Sequence, residues 1–530
     1  MKRDGLFRIA PRMGSAVKGD AAAMGSKALE MSRMARMGLP VPAAFVLGTS
    51  YCRNWHQEGD RNKSSLPAVL QEQMRWLQGV TGLGFGDTRK PLLVSVRSGS
   101  PVSMPGMMDT LLNIGLCDAT CRGLMRMTGN PRLVWDSYRR LVRSFAEIVF
   151  GADPRPFVAA QDEMLARERV HSVGELDYEG LALLAQTNLG LCEELTGKAF
   201  PQSPLGQLEL AVQAVFASWN APRAVAFRRL YGIPDDLCTA ATVQKMVFGN
   251  AGGNSGSGVG FTRDPDSGAK GLYFDFLFNS QGEDVVSGRA AGSDADWLFG
   301  ALPEMRQELL SVCAALEEEF RDAQEFEFTI EEGILYLLQT RTAKRTPWAA
   351  LRIAVEQVRE GLIGKREALA RLEGLDLGSI KRCRLSADDG ETFCVGQPAG
   401  IGVAVGPAAL DIEVAEKFSG EGRPAVLIRE EISTADIAGI AVCAGVLTVR
   451  GNRTSHAAVV ARQLGKGCVT GCGELRLDPS AQTVTCGGRS ISAGATVTVD
   501  SNTGRVYEGA RELIVEYPAQ WLAEIRSWRP

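Results

Sequence analysis

The residue best placed to act as a nucleophile is His456, in the run Thr448-Val449-Arg450-Gly451-Asn452-Arg453-Thr454-Ser455-His456-Ala457-Ala458-Val459-Val460-Ala461-Arg462. The run reads as a buried strand, a Gly-Asn turn and a small-residue helix. The helix is expected to start at Thr454 or Ser455, both good N-caps. His456 then falls in the first turn, where unpaired N–H groups and the helix dipole favour an anion. The same field disfavours imidazolium, so the ring would be neutral and nucleophilic. A phosphate carried on the ring would be held by the same donors. The chemistry indicated is that of a phosphoryl carrier, although the stretch alone equally permits a core or capping histidine.

A carrier needs a donor. Glu325-Phe326-Glu327-Phe328-Thr329-Ile330, the turn Glu331-Glu332-Gly333 and the return Ile334 to Arg341 predict a hairpin. Period two puts Glu325 and Glu327 on one face, and Gln339 and Arg341 on one face of the partner strand. Carboxylates with an amide oxygen suit Mg²⁺ at a nucleotide phosphate, with Arg341 balancing charge. Solvent-facing acids on an edge strand would look the same. Leu92 to Arg97 predicts a strand whose terminal arginine, before a Gly/Ser/Pro loop, suits a bidentate grip on phosphate; a strand-end salt bridge is the alternative. Lys27 follows the Met24-Gly25-Ser26 turn at the mouth of a helix (Ala28 to Met37) that Gly38 and the prolines end. It could hold phosphate or be a plain surface lysine, and the GxxxxGK[ST] spacing of a Walker loop is missing. After a strand at Val243 to Phe248, Gly249 to Gly260 holds six glycines. Such a loop could lay backbone N–H groups over a polyphosphate, or be a hairpin.

The elements that position these residues follow from length and pattern. A chain of 530 residues predicts roughly two to four domains. Asp118 to about Ala217 is helical in pattern. Trp135, Tyr138, Leu141, Val142 and Phe145 make a core stripe, with Asp136, Arg139, Arg140 and Arg143 read as a solvated face. Residues 346–385 read as a charged helical connector. From Phe393 onward, short Val/Ala/Gly-rich strands and an Asp500-to-Gly504 turn predict a separate small domain, and it carries His456. His56 and His171 read as structural or surface residues. Net charge −4 without a Lys/Arg block argues against nucleic acid as a partner. No run reaches the roughly 18 apolar residues of a membrane span, and Met1 to Asp20 lacks the apolar core of a secretory signal. Twelve cysteines without a CxxC pair, and three histidines, argue against zinc. Free thiols in a reducing cytoplasm are expected.

Several stretches together resemble the pyruvate, phosphate dikinase family, and more broadly the phosphoenolpyruvate synthases. They are GLPVPAAF (38–45), PLLVSVRSGSPVSMPGMMDTLLNIG (91–115), NSQGEDVVSG (279–288), EFTIEEGILYLLQTRTAKRT (327–346) and LTVRGNRTSHAAVVARQLGKGCVTGC (447–472). The resemblance implies a multidomain α/β and α+β fold. Its parts would be an ATP-grasp-like nucleotide-binding domain over 1–342 with a helical insert near 118–217, a helical linker over 343–388, a swivelling β/α phosphohistidine domain over 389–512 and a C-terminal tail over 513–530. It implies that His456 takes a phosphoryl group from ATP, with AMP leaving and inorganic phosphate becoming pyrophosphate. Lys27, Arg97 and Arg341 would be nucleotide-phosphate ligands. Glu325, Glu327 and Gln339 would serve magnesium and the nucleotide, Glu327 and Gln339 as the metal pair. Glu283 would be a further nucleotide contact, and Gln244, Met246 and Val247 would line the adenine. Thr454 matches a position of regulatory phosphorylation.

The chain departs from the family in places. Gly25-Ser26-Lys27-Ala28 stands for Gly-Gly-Lys-Gly, Gly252-Gly253-Asn254-Ser255 for an acidic loop, and Asn452-Arg453 for Gly-Met. Arg453 thereby adds a positive charge beside the carrier. The family continues into a (β/α)8 barrel that holds pyruvate or phosphoenolpyruvate, whereas this sequence stops at Pro530. The expectation is an acceptor on a separate protein. The alternatives are a synthase-like or other-acceptor phosphotransferase, or a non-catalytic nucleotide-binding regulator.

Overall fold

The computed structural model describes residues 5–11, 19–58, 65–102, 104, 107–286, 295–387, 390–432, 436–453 and 455–528. The fold is mixed α/β, in two compact units: Met1–Gly252 with Tyr336–Gln339, and Gly253–Leu335 with Thr340–Pro530. Among the described residues no helix is long and apolar enough to cross a membrane.

The first unit is built on β1 (Leu6–Ile9), β2 (Ala44–Leu47), β3 (Val94–Gly99), β4 (Thr110–Ile114) and β5 (Ala240–Lys245). They form one antiparallel sheet in the order β1-β2-β5-β3-β4. β5 starts three residues before the expected Val243, because the small residues Ala240, Ala241 and Thr242 fit the crowded centre between β2 and β3. Phe45, Leu47, Val94, Val96 and Val243 pack against Leu70, Met74 and Leu77 of the Leu66–Thr81 helix. Leu141, Phe145, Val212 and Phe216, from the Pro131–Phe150 and Pro204–Ser218 helices, complete that core.

Six α-helices follow β4, from Asp118–Thr128 to Pro222–Tyr231. Several have N-caps that satisfy a free backbone N–H: Asn130 accepts from Leu133, and Asp177 from Gly180. The polar face of the Pro131–Phe150 helix is not solvated as expected. Asp136 and Arg139 are buried. Asp136 accepts from Arg139, from Arg140 Nε at 3.1 Å and from Asn250 Nδ2 at 3.2 Å. A charge pair three residues apart looks the same in sequence whether water or protein covers it.

The second unit opens with β6 (Gly256–Arg263), β7 (Lys270–Phe278) and β8 (Gln324–Glu331); β9 (Ile334–Thr342), whose middle residues Tyr336–Gln339 are counted with the first unit, ends a sheet of order β7-β6-β8-β9. Half of the glycine run lies inside β6, not in a loop. A Cβ at Gly256, Gly258 or Gly260 would strike the rings of Phe276, Phe328 and Phe326, respectively. Alternate glycines thus form a trough for three phenylalanines. Their role is close packing, and the loop proper spans the residues between β5 and β6.

The Pro347–Arg359 and Lys365–Arg371 helices lead to β10 (Arg382–Leu385). An eight-stranded sheet follows, from β11 (Cys394–Val395), β12 (Gln397–Pro398), β13 (Val403–Ala409), β14 (Val426–Arg429), β15 (Gly445–Thr448) and β16 (Gly467–Thr470). The strands β17 (Arg476–Asp478), β18 (Thr483–Cys486) and β19 (Arg489–Ser492) form a small sheet of their own, before β20 (Thr496–Asp500) and β21 (Arg505–Glu508) return to the large one. Its order is β11-β21-β20-β13-β14-β15-β16-β12, with β13 to β16 parallel. Parallel strands need cover on both faces. Val426, Ile428, Leu447 and Val469 serve one core; Leu427, Val446 and Cys468 serve the other, beneath Ala457, Ala458 and Ala461. The small side chains of these alanines let their helix lie close to the sheet.

Finally, β22 (Leu513–Glu516) pairs with β10, Leu385 facing Leu513 and Arg382 facing Glu516. The Ala519–Trp528 helix returns to the Pro347–Arg359 helix, with Trp521 5.4 Å from Trp348 and Arg359 bonded to Glu524.

Candidate active site

In the first unit, the helix start that carries Lys27 is joined to the end of the strand that carries Arg97. Lys27 is the second residue of the Ser26–Arg36 helix, whose cap Gly25 has φ 80°. A Cβ on Gly25 would run into the carbonyl of Gly99, the last residue of β3. Ser26 donates its N–H (3.1 Å) and its hydroxyl (3.2 Å) to the Ser100 carbonyl. The helix start is thus stitched to the end of the strand that carries Arg97. Arg97 lies in β3 between Thr110 and Thr242, and its Nε is a buried donor with no hydrogen-bond partner among the described residues. A buried donor of this kind fits an anionic acceptor.

Gln244, opposite Ser95 on β5, is buried and points its amide Nε2 at Met31 Sδ, 3.1 Å away. Met246 and Val247 are also buried. The loop beyond them is anchored by the helices: Asn130 donates to the Ala251 carbonyl (3.2 Å), and Asp136 accepts from Asn250. Burial disfavours the Asp136 carboxylate; Arg139 and Arg140 outweigh it and hold the carboxyl below its ordinary range.

In the second unit, one face of the sheet gathers the acidic residues. Antiparallel register aligns Glu325 with Phe261 and Tyr273, and Glu327 with Val259 and Asp275. Glu325 is buried and accepts from Arg341 Nη2. Glu327 is half-buried. Gln339 lies on β9, next to β8 in the sheet order. Carboxylate oxygens such as those of Glu325 and Glu327 are of the kind that suits a hard cation such as Mg²⁺. Asp275, on β7 and buried on the same face, carries no local motif that would single it out in the sequence.

The helix that begins at His456 runs to Gln463, after the cap Ser455. The cap backbone is extended, as expected, but its side chain makes no capping bond, and Ser455 Oγ is buried without a partner among the described residues. The imidazole of His456, the carboxylate of Glu283 and all of Thr454 lie outside the described residues. The segment is held against the acidic sheet face. Arg453 sits 5.2 Å over the Tyr273 ring and Arg462 5.9 Å over the Phe261 ring. Arg462 bonds to Asp266 in the β6–β7 turn, with Nε 2.7 Å from Oδ1, and Asn452 Nδ2 is 2.8 Å from the Val285 carbonyl. Burial opposes the charge on Arg462; Asp266 outweighs it and raises the pKa. Burial and the Asp266 charge likewise push the Tyr273 phenol up. Arg462 stood in the quoted run around His456, yet nothing local pointed to Asp266, 196 residues away.

All twelve cysteines are free, and the described residues contain no His/Cys/Asp/Glu group arranged for a metal ion.

Comparison with known proteins agrees with the motifs. The profile for "Pyruvate phosphate dikinase, AMP/ATP-binding domain" matches residues 62–295, and that for "PEP-utilising enzyme, mobile domain" matches residues 421–504. The chain is 41% identical over 490 residues to the pyruvate, phosphate dikinase of Clostridium symbiosum, covering 92% of this chain and 56% of that protein. It is 40% identical over 526 residues to that of Rhizobium meliloti, covering 95% and 58%. It is also 40% identical over 508 residues to the chloroplastic enzyme of Flaveria pringlei, covering 95% and 53%. The chain spans just over half the length of these curated relatives. It belongs to the pyruvate, phosphate dikinase family, whose AMP/ATP-binding domain and mobile domain it carries.

Proposed function

We propose that this chain is a pyruvate, phosphate dikinase-like phosphotransferase that loads His456 from ATP. The observation that carries the reading is the docking of the His456–Gln463 helix on the sheet face that bears Glu325 and Glu327. Nucleophile-bearing helix and acidic pair share one surface, as transfer to His456 from a nucleotide bound beside that pair requires.

The nucleotide-binding domain is of ATP-grasp type in this reading. Lys27, Arg97 and Arg341 neutralise the polyphosphate, while Gln244, Met246 and Val247 border the adenine and Glu283 and Glu325 contact the nucleotide. Glu327 and Gln339 would hold Mg²⁺, which when bound supplies charge neutralisation across the phosphates. A ring nitrogen of His456 attacks the β-phosphorus and AMP leaves. Inorganic phosphate then takes the γ-phosphoryl as pyrophosphate, and one phosphoryl group stays on His456. The protein's share is position and charge, and the covalent intermediate divides one long-range transfer into two local ones. Arg453 adds positive charge beside the phosphohistidine, and Thr454 is a candidate for regulatory phosphorylation. By family, the acceptor is pyruvate, giving phosphoenolpyruvate; the compartment in this reading is the reducing cytoplasm.

The test is incubation with ATP labelled at the β-phosphate, with and without inorganic phosphate. Acid-labile, base-stable label that is absent from His456→Ala supports the carrier. AMP release that depends on phosphate supports dikinase over synthase chemistry. ADP as the only product sinks both. Nucleotide binding without label would instead favour a regulator.

A further inference from the structure

Asp266 and Arg462 meet across two separate elements of the second unit, and both side chains are buried, 9% and 1% exposed. Arg462 Nε lies 2.7 Å from Oδ1 and Nη2 3.3 Å from Oδ2, a fork-to-carboxylate pair. The turn that presents Asp266 is braced. Asp264 accepts from the Asp266 N–H and the Ser267 hydroxyl, and its carbonyl accepts from Gly268. Thr346, the cap of the linker helix, donates its hydroxyl to the Asp266 carbonyl (2.7 Å) and its N–H to the Pro265 carbonyl (3.0 Å).

A second contact lies on the other side of the histidine. Asn452 is fully buried and donates to the Val285 carbonyl. The two contacts bracket His456 in sequence, and Arg462 ties them by donating also to the Arg453 carbonyl at 3.3 Å. A buried ion pair adds little net stability over an apolar contact, yet one buried partner without the other is costly. Apart, both charges are hydrated. Such a pair suits a contact that must be accurate when closed and able to open.

We propose that Asp266 and Arg462, with Asn452 on the Val285 carbonyl, form the latch that sets the His456 helix for loading and opens when the helix leaves to deliver. Asp266 and Arg462 are positioning residues: they fix where the nucleophile stands and do not touch the reacting atoms. This rests on the carrier function proposed above.

The test uses the full chain and three measurements: single-turnover labelling from β-labelled ATP, affinity for α,β-methylene-ATP, and hydrogen exchange of amides 456–463 and 264–269. Asp266→Asn should label about 100-fold more slowly, the cost of a misplaced nucleophile. Its affinity for α,β-methylene-ATP should stay within about twofold, since a positioning residue adds no ground-state binding. Amides 456–463 should exchange faster. The double variant Asp266→Arg/Arg462→Asp should recover about tenfold of the labelling rate, because the coupling belongs to the pair. If Asp266→Asn fails to fold, Asn452→Ala replaces it, with labelling slowed about tenfold for one lost hydrogen bond. Wild-type labelling rates in these variants overturn the latch. A wild-type chain that takes no label overturns the carrier reading instead; unchanged exchange in the Asp266 variant then overturns the contact as well.

Discussion

The guanidinium of Arg341 on β9 is paired with the carboxylate of Glu325 on β8, and Glu325 is buried while Arg341 remains 39% exposed on its side chain. The pair leaves the cation accessible but fixed in direction. In the proposed reaction Arg341 meets charge that develops on the phosphates. Arg341→Met should therefore lower the rate of β-phosphoryl transfer about 10²–10³-fold, the usual cost of one preorganised charge donor. Unfolding should also become easier, by more than the roughly 0–1 kcal/mol of an exposed pair, because Glu325 is left buried without its counter-charge. Single-turnover labelling and a thermal melt on the same sample check both halves.

Arg97 makes a different prediction. Its buried Nε has no partner among the described residues, so the ATP-free protein carries a desolvation cost there. Arg97→Met should leave the ATP-free melting temperature equal or higher, while ATP affinity falls by about 1.5–3 kcal/mol for a lost charged hydrogen bond. Titration calorimetry with α,β-methylene-ATP reads the affinity; equal affinity would remove Arg97 from the nucleotide site.

Asp136 couples stability to the loop that holds Asn250. Asp136→Asn leaves the buried Arg139 without its counter-charge and should destabilise the first unit by about 3–5 kcal/mol. The sign of the pH dependence follows from the depressed native pKa. The contribution is complete above the unfolded value, about pH 4, and is lost as pH falls through the lower native value. Wild type and variant should thus converge in acid. Urea melts from pH 7 down to pH 3 measure it, and a gap that persists or widens in acid would contradict the assignment.

At Gly258 the trough beneath Phe328 leaves no room for a methyl group. Gly258→Ala should cost about 1–3 kcal/mol by overpacking. If the glycine instead served backbone contact with phosphates, nucleotide affinity would fall and the melting temperature would hold.

The sequence made legible what local period and local motif control. The hairpin at Glu325 to Arg341 followed from alternation, and the His456 helix from its cap residues and small side chains. Juxtapositions across distance were not legible. Lys27 and Arg97 could each be suspected, but the joining of the elements that carry them depends on Gly25 against Gly99 and on Ser26 bonded to Ser100, 74 positions away. Asp136 was read as solvated because its cover comes from Asn250, 114 residues on. The glycines of β6 were read as a flexible loop because the rings that explain them sit on other strands.

The β10–β22 ribbon has an architectural consequence. Leu385 faces Leu513 across it, so the 127 intervening residues (386–512) leave and rejoin the chain at points about 5 Å apart. The carrier portion is topologically a closed excursion, hung on a two-stranded stem that Trp348 covers through Arg382, 4.5 Å from its ring. A short glycine-serine bridge between Leu385 and Leu513 could span the gap left by the whole excursion, at the cost of uncovering Asp266 and the Val285 carbonyl. The carrier is in this sense an interchangeable cartridge.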